Sequence, residues 1–245
     1  MPTRLVHLVA DASDPAALAR FWSGLLGWPI AGETPEEVDI WPAGYSYPDP
    51  VAVPIVFVPV PEPKTGKNRV HLDLASTSAQ HQAGLIARAV ELGGRPADIG
   101  QGEVPWAVMA DPEGNEFCVL EPREEYRGTG PVAAILTDCA DPVALARFWV
   151  AAAGWRIERA DEHLAGLRSP AGVGPYLEFL RVPGQKAVKN RWHPDVAPQR
   201  DGDAASELAR LRAAGATPAG AGPGQVPWTV LADPEGNEFC MLAPR

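Results

Sequence analysis

The sequence predicts an α+β fold made of four βαβββ units, written as two tandem copies of two units each. Three observations carry this: long motifs recur in the same order, strand-like and helix-like periodicities alternate within each copy, and the helical stretches carry capping residues at their ends. "DPAALARFWSGLLGW" (Asp14 to Trp28) returns as "DPVALARFWVAAAGW" (Asp141 to Trp155), and "KNRVHLDL" (Lys67 to Leu74) as "KNRWHPDV" (Lys189 to Val196). "DPEGNEFC" (Asp111 to Cys118) is repeated unchanged at Asp233 to Cys240, each time a few residues after a "VPW". Spacing between copies is constant from about Ile55 onward, but the earlier part is offset by five more residues. That places an insertion in the first copy around "WPAGYSYPDPVAVP" (Trp41 to Pro54). The expected domains are residues 1–122 and 132–245, joined by a linker, 123–131, within the polar, aperiodic "EPREEYRGTGP" (Glu121 to Pro131).

Each element has a local cause. "RLVHLV" alternates as a strand does. Asp14 is a good N-cap with Pro15 at the first helical position, Leu18, Phe21, Trp22 and Leu25 share one helical face, and Gly27 ends the helix. "VPIVFVPV" reads as a strand, "RVHLDLA" opens the second unit, and "AQHQAGLIARAVELGG" is its helix, stopped by Gly93 or Gly94. "VPWAVMA", the turn "DPEGN" and "EFCVLEP" form a hairpin, with Pro112 favouring the turn and Gly114 and Asn115 tolerating positive φ.

At 245 residues, 46% hydrophobic and 21% charged, the chain can bury sizeable cores. A formal charge of −10 with no basic cluster would repel a phosphate backbone, so nucleic acid is not an expected partner. The N-terminal apolar patch is short and broken by His7, and no run approaches about 18 apolar residues, so neither export nor a membrane span is expected. Three cysteines, Cys118, Cys139 and Cys240, are an odd count without zinc-knuckle spacing and read as reduced thiols of a cytoplasmic protein.

Strand parity points to the chemistry. In "RVHLDL", Val70, Leu72 and Leu74 face one way and Arg69, His71 and Asp73 the other; in the second copy Arg191, His193 and Asp195 repeat the polar side. A sheet covered by helices on one face curls its other face around something, and a polar row there lines a cavity or a subunit interface. The cavity is the expectation taken forward. Tyr176 lies on the same strand face as Glu178, and with Trp106 and Trp228 it offers rings for stacking on a planar ligand; core packing is the competing reading. Glu116 and Glu238 are assigned to the solvated side of the hairpin or its turn, and His81 and His163 to the surface.

The arrangement of "HLVADASDPAALARFWSGLLGW", "HLDL" and "DPEGNEFC" resembles the vicinal oxygen chelate superfamily, which includes glyoxalase I, bleomycin- and fosfomycin-resistance proteins and extradiol dioxygenases. It is most similar to the glyoxalase-like domain group common in GC-rich bacteria, and both copies match over nearly their whole length. The resemblance implies that paired βαβββ units form two curled-sheet domains, each an open cup that in many relatives holds a divalent metal. Ligands in metal-dependent relatives come from the first strand of each unit (His or Gln) and the last (usually Glu). Carried over by position, the first copy offers His7, Val56, His71 and Cys118, and the second Ala134, Glu178, His193 and Cys240. Val56 and Ala134 cannot ligate, so neither copy carries the full set. His7, His71 and Cys118, or Glu178, His193 and Cys240, remain as three-ligand alternatives for zinc, against burial of the cysteines as small hydrophobes on the cup floor.

The missing carboxylates favour a metal-free, cofactor-free binder of a small molecule. Its pocket would be lined by His7, Arg69, His71, Trp106, Cys118, Tyr176, Glu178, Arg191, His193, Trp228 and Cys240. The alternative is a metal-dependent lyase, isomerase or dioxygenase acting on a small oxygenated metabolite. The chain is expected to be a monomer with an internal pseudo-dimer, or a homodimer. Whether units pair within a copy or across copies stays open at this level.

Overall fold

A computed structural model describes residues 3–220 and 226–245. The first copy runs β1 (Arg4–Ala12), α1 (Pro15–Leu26), β2 (Ile30–Glu33), β3 (Val38–Ile40), β4 (Ile55–Pro59), then β5 (Val70–Leu74), α2 (Ala79–Glu91), β6 (Arg95–Pro96), β7 (Ala107–Ala110) and β8 (Glu116–Val119). The second repeats the order as β9 (Val132–Cys139), α3 (Pro142–Ala153), β10 (Arg156–Ala160), β11 (Leu164–Arg168), β12 (Tyr176–Arg181), β13 (Trp192–Ala197), α4 (Ala204–Ala213), β14 (Thr217–Pro218), β15 (Thr229–Ala232) and β16 (Glu238–Met241). The expected caps are in place. Asp14 Oδ1 accepts from the Ala17 N–H at 2.9 Å, and Gly27 closes α1 at φ 70°, a left-handed conformation that favours glycine.

The strands form two open eight-stranded sheets. In the first the order is β14-β15-β16-β13-β1-β4-β3-β2, and in the second β10-β11-β12-β9-β5-β8-β7-β6. Each sheet therefore takes one unit from each copy, joined by an antiparallel seam: His7 faces Asp195 and Val9 faces His193 in one, Asp73 faces Ala134 and His71 faces Leu136 in the other. Units exchange across copies.

Most of the apolar mass lies in one cluster shared by both sheets and the helices between them. Trp22 on α1 packs edge-on against Phe117 of the second sheet (5.0 Å) and Trp192 of the first (5.5 Å); in the other copy Trp149 packs against Phe239 in the same way (5.5 Å). These rings bind the sheets into one body.

The repeated octapeptide is the hub of this assembly. Buried Asp111 accepts from Trp22 Nε1 (3.2 Å) and from the Asn115 backbone N–H (2.9 Å); Asp233 does the same for Trp149 (3.3 Å) and Asn237 (2.9 Å). Glu113 takes the free N–H groups of Ser13 and Asp14 ahead of α1, and Glu235 those of Ala140 and Asp141 ahead of α3. Each glutamate also meets an arginine from the other copy, Glu113 with Arg191 and Glu235 with Arg69, both at 3.2 Å. These arginines further donate to opposite-copy carbonyls, Arg191 to Asp11 and Arg69 to Asp138, at 2.7 Å each.

Two expectations need correction. Asn115 has no positive φ; Gly114 alone supplies it in this turn (φ 86°), while the Asn115 amide bonds Asp111. Glu116 and Glu238 are not on a solvated side: they are half-buried and pair with Lys64 (2.9 Å) and Lys186 (2.6 Å), because the loops entering β5 and β13 fold over them. Between the copies, residues Glu124–Tyr126 form a 3-10 turn that buries Tyr126.

Replacing Glu113 with Ala leaves the largely buried Arg191 guanidinium without its carboxylate and the Ser13 and Asp14 N–H groups without their acceptor. The expected loss is about 3 kcal/mol in urea unfolding, and Glu113→Gln, which still accepts hydrogen bonds, is expected to lose less. Because the sheet seams join copies, residues 1–122 expressed alone are expected to dimerise or fail to fold, and co-expression with 132–245 to restore one cooperative transition. Light scattering and melting curves check both.

Candidate functional site

The face of each sheet turned away from the shared core carries a small polar cluster. In the second sheet, His71 and Asp73 on β5 stand beside Cys118 on the parallel neighbour β8. In the first, His193 and Asp195 on β13 stand beside Cys240 on β16. Within each trio one imidazole nitrogen, one carboxylate oxygen and the thiol sulfur all lie within 4.8 Å of one another. The cause is the parity read from the sequence: residues two apart on a strand share a face, and the parallel neighbour presents its cysteine at the same level.

The two clusters differ in what surrounds them. In the first sheet His7, across the seam, bonds Asp195 at 2.9 Å, and His193 Nε2 lies 3.5 Å from the other Asp195 oxygen, so one carboxylate sits between two imidazoles. Cys240 Sγ is 3.7 Å from His193 Nε2. Asp39 on β3 lies opposite Val56 in register; burial and then Glu37 raise its carboxyl above the usual range, against the pull of His7. The His7 and His193 side chains are 18% and 12% exposed, and Trp228 is 41% exposed. Tyr47, from the loop inserted in the first copy, packs against Val6, Ala197 and Cys240.

In the second sheet the space is taken up by the chain itself. Tyr126 from the linker enters the hollow, packs with Cys118, Leu120 and Ala133, and donates to Glu178 at 3.1 Å. Arg159 on β10 reaches the same carboxylate at 2.5 Å and the Tyr126 hydroxyl at 3.0 Å. Glu178 is 1% exposed, and burial raises its carboxyl against the opposing Arg159 charge. Burial works most strongly against the charge on Arg159, but Glu178, Tyr126 and Glu125 together outweigh it and the net shift is upward. Burial lowers His71 and raises Asp73, the latter helped by Glu178, so both neutral forms are favoured there. Both cysteine thiols are pushed up, first by burial and then by the adjacent aspartate, which favours their protonated forms.

Cross-copy pairing regroups the sequence candidates. His7 joins His193 and Cys240, while His71 and Cys118 join Glu178; the trios His7/His71/Cys118 and Glu178/His193/Cys240 do not come together. Arg69 and Arg191 stand apart from both clusters, in the junction between copies. Trp106 is half-buried, with Arg123 5.5 Å above its ring, and Tyr176 lies beneath Arg168 at 4.2 Å. The expected lack of acidic oxygens also needs correction: Asp73, Asp195 and Asp39 supply them from positions other than the last strands. Parity already placed Asp73 and Asp195 on the polar face, whereas only the β3–β4 register identifies Asp39 and only the tertiary fold brings in Tyr126 and Arg159.

The divalent ion implied by the resemblance can be tested against these donors. Imidazole, carboxylate and thiol suit a zinc-type ion, and Asp73 Oδ1 and Asp195 Oδ1 are buried without a hydrogen-bond donor. The residues present fit such an ion.

Two open sheets of paired βαβββ units, each with polar groups in its hollow, define a protein of the vicinal oxygen chelate class. The glyoxalase-like domain family model matches residues 7–120 and again 134–242, and the chain belongs to that family. Among solved structures it is similar to glyoxalase I from Zea mays (14% identity, TM-score 0.67, covering 98% of this chain and 92% of that one). It is also similar to a putative dioxygenase from Bacillus subtilis (13%, TM-score 0.61, covering 99% and 85%). At such identity the likeness shows the fold alone. No curated protein matches the sequence.

Arg159→Met would leave Glu178 buried without its cation. The expected cost is about 3 kcal/mol or more, largely recovered in Arg159→Met/Glu178→Met; a double-mutant cycle on thermal unfolding checks it.

Proposed function

We propose that the chain is a small-molecule-binding protein whose ligand occupies the hollow of the first sheet, among His7, Asp39, His193 and Asp195 and beside Trp228. The asymmetry of the two hollows supports this above all. The second is filled by Tyr126 and holds Glu178 paired with Arg159, whereas the first sets two imidazoles, His7 and His193, around the one carboxylate of Asp195. Imidazole nitrogens can donate to or accept from an oxygenated ligand, and Trp228 offers a ring face for a planar portion. The second sheet then completes the architecture.

Native mass spectrometry of the protein purified without added metal is expected to show a co-purifying organic molecule. That molecule should be lost in His7→Ala and His193→Ala and kept in Tyr126→Phe. Loss in Tyr126→Phe with retention in both histidine variants would put the ligand in the other hollow and end this reading.

A second reading is a metal-dependent lyase, isomerase or dioxygenase, favoured by the compact His193, Asp195 and Cys240 donor set with its unpartnered Asp195 oxygen. Those residues, with His7 alongside, would hold a zinc-type ion, which would supply Lewis acidity toward substrate oxygens. One tightly held metal per chain in elemental analysis, lost in His193→Ala, selects this reading; a metal-free chain that keeps its ligand selects the first. Among the described residues no helix is long and apolar enough to cross a membrane. Three free, buried cysteines are consistent with the cytoplasm, and the internal pairing of units with a monomer.

A further inference from the structure

Arg168 ends β11 with its side chain on the hollow side of the second sheet and only 6% exposed. Its guanidinium lies 4.2 Å over the Tyr176 ring, Nη2 donates to the Gly172 carbonyl at 3.2 Å, and Nη1 is buried with no partner. Among the described residues no carboxylate comes within ion-pair distance of it, whereas Arg69, Arg123, Arg159, Arg191 and Arg210 each have one. Arg159 Nε is also buried and unpartnered, and it lies over Gly166, where a Cβ would come within 3.2 Å of it. Gly166 and Arg168 are two apart on one strand, so both guanidinium groups address the same face.

A buried cation without a counterion is costly in a way that an ordinary buried arginine is not. The fork geometry says what would relieve it. A guanidinium presents parallel N–H groups matched to two oxygens of one anion, and here one prong is idle while the other makes a single long bond to a neutral carbonyl.

We propose that Arg168 forms a binding site for a small oxyanion, a carboxylate or a phosphate, beside Tyr176 under the turn 169–174, apart from the space that Tyr126 fills. The anion takes both prongs of the fork in place of the Gly172 carbonyl. That carbonyl turns to water in a turn whose Pro170, Ala171 and Val173 are already exposed. This site is separate from the ligand position in the first sheet, and its test does not depend on that reading.

The experiment is calorimetric titration of the full-length protein with benzoate and, separately, with inorganic phosphate, chloride holding the ionic strength constant. The proteins are the wild type, Arg168→Gln and, as a control, Arg210→Gln, whose arginine pairs with Glu207 elsewhere. Saturable one-site binding of at least one probe is expected, weakened about tenfold in Arg168→Gln and unchanged in Arg210→Gln. Tighter benzoate names a carboxylate ligand, and tighter phosphate a phosphorylated one. Absence of saturable binding of both probes to the folded wild type, or equal affinity in Arg168→Gln, overturns the proposal. If Arg168→Gln fails to fold, Arg168→Lys keeps the charge but loses the fork: weaker binding than wild type is expected, and undiminished affinity overturns it.

Discussion

The exchange of arginines between copies is the constraint from which the architecture follows. Glu113 is held by the N–H groups that precede α1 and Glu235 by those that precede α3, so each is already fixed when it receives Arg191 or Arg69 from the opposite copy. The carboxylate serves at once as acceptor for the chain entering the helix and as counterion, and the arginine spends remaining donors on backbone carbonyls of the other copy. Nearly buried charges in such geometry tolerate little displacement, because any loosening leaves both partners short of water and of each other. With both latches closed, β1 meets β13 and β5 meets β9, and each sheet becomes a hybrid.

That pairing determines which side chains share a hollow. Had units paired within a copy, His7 and His71 would stand in one sheet. Pairing across copies gives His7 to His193 and Asp195, and gives His71 to Glu178. Two originally equivalent hollows have thereby drifted apart by different substitutions. Where the first sheet has Gly32 and Asp39 on its edge strands, the second has Arg159 and Gly166, so a carboxylate approaches one seam and a guanidinium the other. Val56 stands opposite Asp39 in the first sheet where Glu178 stands opposite Gly166 in the second. Glu178 in the second calls for a cation, and Arg159 and Tyr126 supply the charge and the cover.

The repeated cysteines fit this picture as packing groups with a polar duty. Each sits against apolar neighbours on the floor of a hollow, close to an aspartate, in surroundings that favour the protonated thiol. A carboxylate at the same place would crowd a second buried acid against Asp73 or Asp195, which a thiol avoids.

Strand and helix identities, their caps, the insertion near Trp41 and the duplication are local properties, set by periodicity, turn residues and repetition, and were legible in the chain itself. So was the polar face holding His71, Asp73, His193 and Asp195, because strand parity needs no tertiary information. The partner of each unit was not legible: residues 178 and 71 can meet only through a seam whose register depends on long-range packing. Nor was the role of Tyr126, whose segment has no periodicity and gains its turn only by filling a hollow made by strands on either side of it in sequence. Sequence alone determined what each segment becomes and which way its side chains point. The tertiary structure decided which faces confront each other, because the ion pairs and aromatic contacts that choose between within-copy and cross-copy pairing link residues far apart in the chain.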